Sequence, residues 1–315
     1  MKVLIVCSGN VPDFSFEKNQ AFIFDQVNAI LASKKEITFS YYFIKGNGVF
    51  GYLENLKKIK AQVKSEHPDL IHAHYALSGL LSNFQNAVKV ITTFHGSDIN
   101  NPKYRLLSMI NHYLGQYSIF VSYDLCKKIN PSKKYSIIPC GVDFDVFKPM
   151  GMPFSRNSLN LDLNKRYILF SSSFNNPIKN FLLAQKAKNI LDDSNVEIIE
   201  FKGYSRKESV LLFNAVNIAL LTSFSEGSSQ FIKEAMSCNC PIVSTDVGDV
   251  KEVIDETEGC FITSFDPQDV AEKIKLAMEF SRKEGRTNGR DKILEYDNRI
   301  VAGKIIEIYK EVVRS

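Results

Sequence analysis

No stretch of the 315 residues approaches 18 consecutive apolar positions, so no segment is expected to span a membrane as a helix. The opening residues "MKVLIVCSGNVPD" carry one lysine and a five-residue apolar run, too short for the core of a secretory signal. Low-complexity tracts and internal repeats are absent, which sets aside repeat arrays. Cysteine is sparse: Cys7, Cys126, Cys140, Cys238, Cys240 and Cys260, with no export signal, point to reduced thiols in a cytosol. Cys238 and Cys240 form C-x-C, but no second Cys or His pair stands at zinc-ligand spacing, so they read as buried small residues. There is no G-x-S-x-G for a serine hydrolase and no Walker A loop for a P-loop NTPase. The loop after the first apolar run, "SGNVPDFSF", lacks G-x-G-x-x-G, which leaves a dinucleotide site there unsupported.

What is present is globular: 44% hydrophobic and 23% charged residues, in a chain long enough for two cores. Charge is unevenly shared. Residues 1–145 hold 16 Lys and Arg against 11 Asp and Glu, a net of +5, while the remaining 23 basic and 24 acidic residues give −1. A basic first half suits an anionic membrane surface or a phosphate-bearing acceptor. Nucleic acid fits less well, because the lysines are scattered and no recognition motif accompanies them. The plain alternative is a solvated lysine surface.

Short apolar runs alternate with amphipathic segments. "VLIVC", "ITFSYYFI", "DLIHAH", "VKVITTF", "YSIFVS" and "YSIIP" read as strands, with helical spacing in "QAFIFDQVNAIL" and "YLENLKKIKAQV". The rhythm breaks at "IIPCGVDFDVFKPMGMP", whose prolines and glycines mark a connector. It resumes with "YILFSSS", a helix over Phe181–Ile190, "VEIIEFKG", a helix near Lys207–Ala215, "IALLTS", "PIVST" and "CFITS". The expected fold is α/β: two Rossmann-like, doubly wound parallel-sheet domains facing across a cleft, over residues 1–145 and 146–297. A closing helix over 298–315 could pack back on the first domain. In such sheets ligands bind at the carboxyl ends of strands, which directs attention to the loops there.

One such loop is "SFSEGSSQFIKEAM", Ser223–Met236. Ser228 is a candidate N-cap, its hydroxyl turned to free amides, and those amides with the helix dipole suit anionic or oxygen-rich groups. Glu226 precedes the helix and Glu234 lies in its second turn, so each carboxylate could accept hydrogen bonds from hydroxyls. Gly227 permits close approach of a ligand to the backbone. One carboxylate for a sugar and one for a ribose would suit a nucleotide sugar; a capped surface helix with a solvated glutamate is the alternative.

The stretch "SEGSSQFIKEAMSCNCPIVSTDVG" resembles the E-x7-E signature of the retaining glycosyltransferases of family 4, or group 1, which have the two-domain GT-B fold. "PDLIHAHYALSG", "TFHGSDI", "IIPCGVDFDVFKP" and "GYSRKESVLLFNAVNIALLTS" resemble the same family in the same order, from residue 2 to about 313. The resemblance implies that Glu226 holds donor-sugar hydroxyls and Glu234 the ribose. It further implies that the amides of Gly227, Ser228, Ser229 and Gln230 contact the sugar, and that Gly203 and Tyr204 border the base. A family lysine on the donor diphosphate matches Lys179, followed by Asn180 as an amide donor, but Ser173 stands where an arginine is common. That departure matters, because a charge-assisted hydrogen bond to phosphate is worth roughly 1.5–3 kcal/mol. His95 matches the family histidine near C6 of the donor sugar.

Asp98 reads as an N-cap and not a base, and of His72 and His74 only one, His74, is expected to line the cleft. Gly9 and Asn10, in the first strand-to-helix turn, are expected to touch donor phosphates or shape the acceptor pocket. Asp143-Phe144-Asp145 is the one literal D-x-D, read as turn chemistry, so no metal and no cofactor is expected. The implied protein is a cytoplasmic, retaining, metal-independent transferase at the inner membrane face or in solution. Its co-substrate is a nucleotide-diphosphate sugar, UDP favoured on family frequency, and its acceptor a glycan or lipid-linked precursor. A nucleotide-sugar epimerase or hydrolase, or a degenerate non-catalytic binder, would share these features.

Overall fold

Most strands are short apolar runs, and in chain order each is followed by a helix, the pattern of parallel pairing with crossovers. The computed structural model describes residues 1–46, 48–132 and 134–315. These residues form two compact units, 1–141 with 298–315, and 142–297.

The first unit contains β1 (Lys2–Ser8), β2 (Thr38–Ile44), β3 (Leu70–His74), β4 (Val90–Phe94), β5 (Tyr117–Phe120) and β6 (Tyr135–Ile137). They pair in parallel in the order β2-β1-β3-β4-β5-β6. The second contains β7 (Arg166–Phe170), β8 (Val196–Glu200), β9 (Ile218–Leu221), β10 (Ile242–Thr245) and β11 (Cys260–Thr263), ordered β11-β10-β9-β7-β8. Strand order reverses beside β1 in the first sheet and beside β7 in the second. Outside the carboxyl ends of such neighbours the crossovers diverge and leave a crevice.

The helix Asn298–Arg314 belongs to the first unit. Its Val301, Ile305, Ile308 and Tyr309 pack into the core formed by Val3, Ile5, Ile23 and Val27. The first unit ends at Gly141, four residues before the boundary at 145 read from the sequence. The difference has a packing reason: Val142, Phe144 and Phe147 are buried in the core around β7 and β9. Ile305 is 1% exposed, so Ile305→Ala removes buried methyl groups and should destabilise the first unit by about 2–5 kcal/mol. Urea denaturation followed by circular dichroism checks this; an unchanged midpoint would mean the helix is not part of that core.

Candidate active site

The switch point of the second sheet brings together the loops after β7 and β9. Thr222 donates its hydroxyl to the carbonyls of Lys179 and Asn180, both at 3.0 Å, and the Phe224 amide donates to Ile178 O at 2.9 Å. From β10, the Thr245 hydroxyl donates to Ser223 O at 2.8 Å. These bonds fix Lys179 against Glu226, whose Oε1 accepts from the Lys179 ammonium at 2.5 Å and from the Ser223 hydroxyl at 2.6 Å. The two side chains are only 19% and 13% exposed, so the pair is largely shielded from water. Lys179 ends a short 3-10 turn, Pro177–Lys179, and Asn180 adopts a left-handed backbone (φ 54°) before the helix Phe181–Leu191. Lys179 is therefore a shielded side chain and not an exposed lysine at a helix start.

Ser173 donates its hydroxyl to Glu200 at 2.9 Å, and the Phe174 amide donates to the same oxygen at 2.7 Å. The amide first, then the hydroxyl, hold the Glu200 carboxyl below its ordinary range. A hydroxyl bound to a carboxylate thus occupies the place where the resemblance implies a guanidinium. Gly203 has φ +79° with open space where a side chain would stand, and Tyr204, half-exposed, stacks near Phe201.

The helix after Glu226 is Gln230–Ser237, and its N-cap is Ser229, with no side-chain capping bond. The expectation for Ser228 is corrected here. Its hydroxyl donates to Asp249 and accepts from the Lys233 ammonium at 2.6 Å, so it does not cap the helix. The Ser229 amide also hydrogen-bonds the Asp249 carboxyl. Lys233 has no exposed surface, and its ammonium lies 5.5 Å from the centre of the Tyr296 ring. Burial raises the Asp249 pKa above its ordinary value, and the Lys233 charge is the first influence opposing this. The Asp249 loop itself is pressed on the Glu226 loop: at Gly248 (φ +61°) a Cβ would lie 2.9 Å from Gly227 O. Lys233 and Asp249 are the positioning pair that sequence reading missed; a lysine beside Glu234 within "FIKEAM" is the signal that could have raised it. Glu234 itself is half-buried in the second turn.

In the first unit, His72 and His74 lie two apart on β3 and therefore on one face, so the strand's alternation does not single out His74 as the sequence reading expected. Both are fully buried, with ring centres 4.4 Å apart. His72 bonds the Tyr309 hydroxyl at 2.7 Å and the Thr93 hydroxyl at 2.8 Å. His74 Nδ1 meets His95 Nε2 at 3.0 Å, and His95 Nδ1 lies 3.6 Å from Cys140 Sγ. Asp98 is the second residue of the turn Ser97–Asn100, whose cap is Gly96. Its carboxyl accepts from the Gly96 amide at 2.9 Å and from the Ala76 amide at 3.1 Å, so it ties the β3 and β4 loops together and does not cap its own helix.

Gly9 packs on β2, where a Cβ would meet Phe43 Cβ at 2.9 Å. Asn10 exchanges two hydrogen bonds with the Gly46 backbone, at 2.5 and 2.6 Å. Gly46 opens a literal G-x-G-x-x-G, "GNGVFG", after the edge strand β2, which the sequence reading passed over. Asp143 Oδ1 accepts from the amides of Asp145 and Val146, at 2.9 and 3.1 Å, which is turn chemistry. Among the described residues, no three His, Cys, Asp or Glu converge as a metal site would require, and no helix is long and apolar enough to cross a membrane.

Comparison with known proteins decides the family. Residues 3–146 match the family described as Glycosyltransferase Family 4, and residues 166–279 match Glycosyl transferases group 1. The chain belongs to the group 1 glycosyltransferases of family 4. It is 28% identical over 273 residues to an uncharacterised glycosyltransferase of Methanocaldococcus jannaschii, covering 76% of this chain and 75% of that one. A putative teichuronic acid biosynthesis glycosyltransferase, TuaC, of Bacillus subtilis is 24% identical over 238 residues, covering 66% of this chain and 61% of its own length. The fold matches that of Anabaena HepE, solved with UDP-glucose, at a TM-score of 0.75 and 16% identity, over 99% of this chain and 100% of that one. The protein is thus a glycosyltransferase of the GT-B fold.

Two predictions follow from the buried charges in the transferase. Burial holds His72 down at about 3 and His74 well below the ordinary 6.5, so below pH 6.5 the unfolded chain takes up protons that the folded chain refuses. Stability then falls with falling pH by up to about 1.4 kcal/mol per unit for each histidine. Burial pushes Asp98 up to about 6 from 3.8, which gives the opposite slope between those values and offsets one histidine there. Urea midpoints should decline from pH 7 to 4, less steeply in His72→Gln; equal slopes would show that His72 titrates freely. Lys233→Met leaves Asp249 buried without its cation and should cost about 3–5 kcal/mol, with Lys233→Met/Asp249→Asn recovering part. A double variant no more stable than the single one would show that the two charges are not coupled.

Proposed function

We propose that the transferase moves a sugar from a nucleotide-diphosphate sugar to a glycan or lipid-linked acceptor, with retention and without a metal, in polysaccharide or cell-surface glycan synthesis. The observation that carries this reading is the shielded Lys179–Glu226 pair at the switch point of the second sheet. The donor's diphosphate would draw Lys179 from Glu226 to phosphate, and the released carboxylate would accept the sugar hydroxyls. Gly227, Gln230 and Asn180 would supply amides to the donor, Glu234 would grip the ribose, and Gly203 and Tyr204 would flank the base. The Ser228 hydroxyl and Ser229 amide, held by Asp249, would shape this loop and contact the donor through its backbone. UDP is favoured as the nucleotide, in keeping with the fold shared with HepE, which was solved with UDP-glucose.

Lys179 and the helix start at Gln230 would stabilise charge on the leaving diphosphate. The acceptor would attack on the face the diphosphate leaves, passing its proton to the departing phosphate oxygen. His95 would stand beside the donor sugar, with His74, Asp98, Asn10 and Gly9 shaping loops of the first unit and Ser173 a loop of the second. The basic first unit would give the acceptor side, at the cytoplasmic face of a membrane carrying anionic lipid.

Glu234→Ala should weaken UDP-sugar binding by at least about tenfold, or ~1.4 kcal/mol, while Lys179→Ala should lower kcat more than it raises KM. Calorimetry and transfer of radiolabelled sugar to acceptor extract measure both. Donor affinity and turnover unchanged in both variants would end this reading, and label released to water without acceptor would favour a hydrolase.

A further inference from the structure

His95 is held through both its main chain and its ring. Its amide donates to the buried Asp98 carboxyl, which also accepts from the amides of Gly96 and Ala76. Its ring stacks on that of His74, centres 5.2 Å apart, and lies 4.8 Å from Phe22 and 4.7 Å from Tyr75. Tyr75 reaches it from a backbone at φ 71° and ψ 151°, a conformation that residues bearing a side chain seldom adopt. Both ring nitrogens are engaged as well: Nε2 faces His74 Nδ1 at 3.0 Å, and Nδ1 faces Cys140 Sγ at 3.6 Å, within hydrogen-bonding reach of sulfur. Cys140, 9% exposed, comes from the loop after the edge strand β6.

A neutral imidazole carries one N–H, and this run of contacts leaves two arrangements of hydrogens. In the first, His74 donates from Nδ1 to His95 Nε2, and His95 donates from Nδ1 to the sulfur. In the second, the thiol donates to His95 Nδ1, His95 donates from Nε2 to His74 Nδ1, and His74 keeps its hydrogen on Nε2. The two differ in what they strand at a single atom. His74 Nε2 is buried and meets no hydrogen-bond partner among the described residues. The first arrangement leaves a bare lone pair there, the second an N–H with nothing to donate to. A buried N–H without an acceptor is the rarer defect in folded proteins. An imidazolium at His95 would have to donate from Nε2 and would force that same defect. Burial keeps His74 neutral, so it cannot take a second proton to resolve the conflict.

We propose that His74 and Cys140 fix His95 as its Nδ1–H tautomer, and that Cys140 is thereby a positioning residue for sugar transfer. The second part rests on the proposed function for the place of His95 beside the donor sugar; the tautomer does not. With Nε2 taken by His74, the imidazole has no lone pair for the acceptor's proton, in keeping with the passage of that proton to the departing phosphate oxygen. The thiol sets where the ring stands and takes no part in bond making. Sulfur, a large and weak acceptor, can do this from a separate loop without being costly to bury.

The tautomer is read by long-range proton–nitrogen NMR correlation on the full chain carrying isotope-labelled histidine. Only five histidines contribute, and the signals lost in His95→Gln are those of His95. At neutral pH the wild type should show His95 protonated at Nδ1 alone; a proton on Nε2, or on both nitrogens, would overturn the proposal. Cys140→Ala should convert His95 to a mixture of tautomers and lower kcat with UDP-glucose and acceptor extract about fivefold, with donor KM changed less than about twofold. Cys140→Ser, which keeps an acceptor in place, should recover most of both losses. A folded alanine variant whose His95 signals or kcat match wild type, or a serine variant no better than alanine, would overturn the positioning role. Should the alanine variant fail to fold, the wild-type and serine spectra decide. Calorimetry separates the two readings: failure of wild type to bind UDP-glucose or any other nucleotide sugar would sink the proposed function and leave the tautomer to the spectra.

Discussion

A lysine ammonium with no exposed surface must be neutralised, and the loops at the switch point of the second sheet are arranged around that need. Stripping an ion of water costs several kcal/mol unless partners replace the hydration. Lys233 finds Ser228, Gln230 and the Tyr296 ring, with Asp249 reached through the Ser228 hydroxyl. Asp249 can lie there only because Gly248 lets its loop close on Gly227. The backbone beside Glu226 is therefore set in part by a charge pair that the E-x7-E spacing does not name. The loop proposed to meet the donor is thus electrostatically closed by its own scaffold.

The strands among the described residues were readable as short apolar runs, plainest for the central ones, because parallel strands buried on both faces need no alternation, and each run here coincides with a strand. The helix Phe181–Leu191 and the closing helix Asn298–Arg314 were equally plain from their 3.6-residue spacing. Pro102–Leu114 is hard to read for the reason that makes it interesting: its polar positions go inward, against the usual assignment of faces. Glu226 and Lys179 were legible as residue types, but their 2.5 Å contact was not, since 47 residues separate them and only the β7–β9 pairing closes the gap. Ser228 misled because a serine before a helical run is the usual cap signal. Competition from the buried carboxyl of Asp249, 21 residues on, outweighs that local preference.

The first unit shows the same rule with neutral groups. His72, His74 and His95 form a chain of rings, anchored at one end by Tyr309 of the closing helix and near the other by Cys140. Each imidazole can offer one donor and one acceptor only while uncharged, and burial keeps His72 and His74 in that form. The position of His95 is thus coupled, ring by ring, to Tyr309 of the closing helix, which gives the return of the chain to the first unit at Asn298 a structural purpose.

Lys179 and Glu226 present the remaining problem of charge. In the absence of donor they neutralise each other, so the loop carries no uncompensated ion at 19% and 13% exposure. A ligand that offered only hydroxyls could bind the carboxylate but would do nothing for the ammonium. One that offered only phosphate would satisfy the ammonium and strand the carboxylate. A molecule joining phosphate to a polyol would compensate both ions at once, so under the proposed function the pair would discriminate in favour of the conjugate over either half. That selectivity would arise from the pairing itself and would not need an arginine at Ser173, where the hydroxyl is already committed to Glu200.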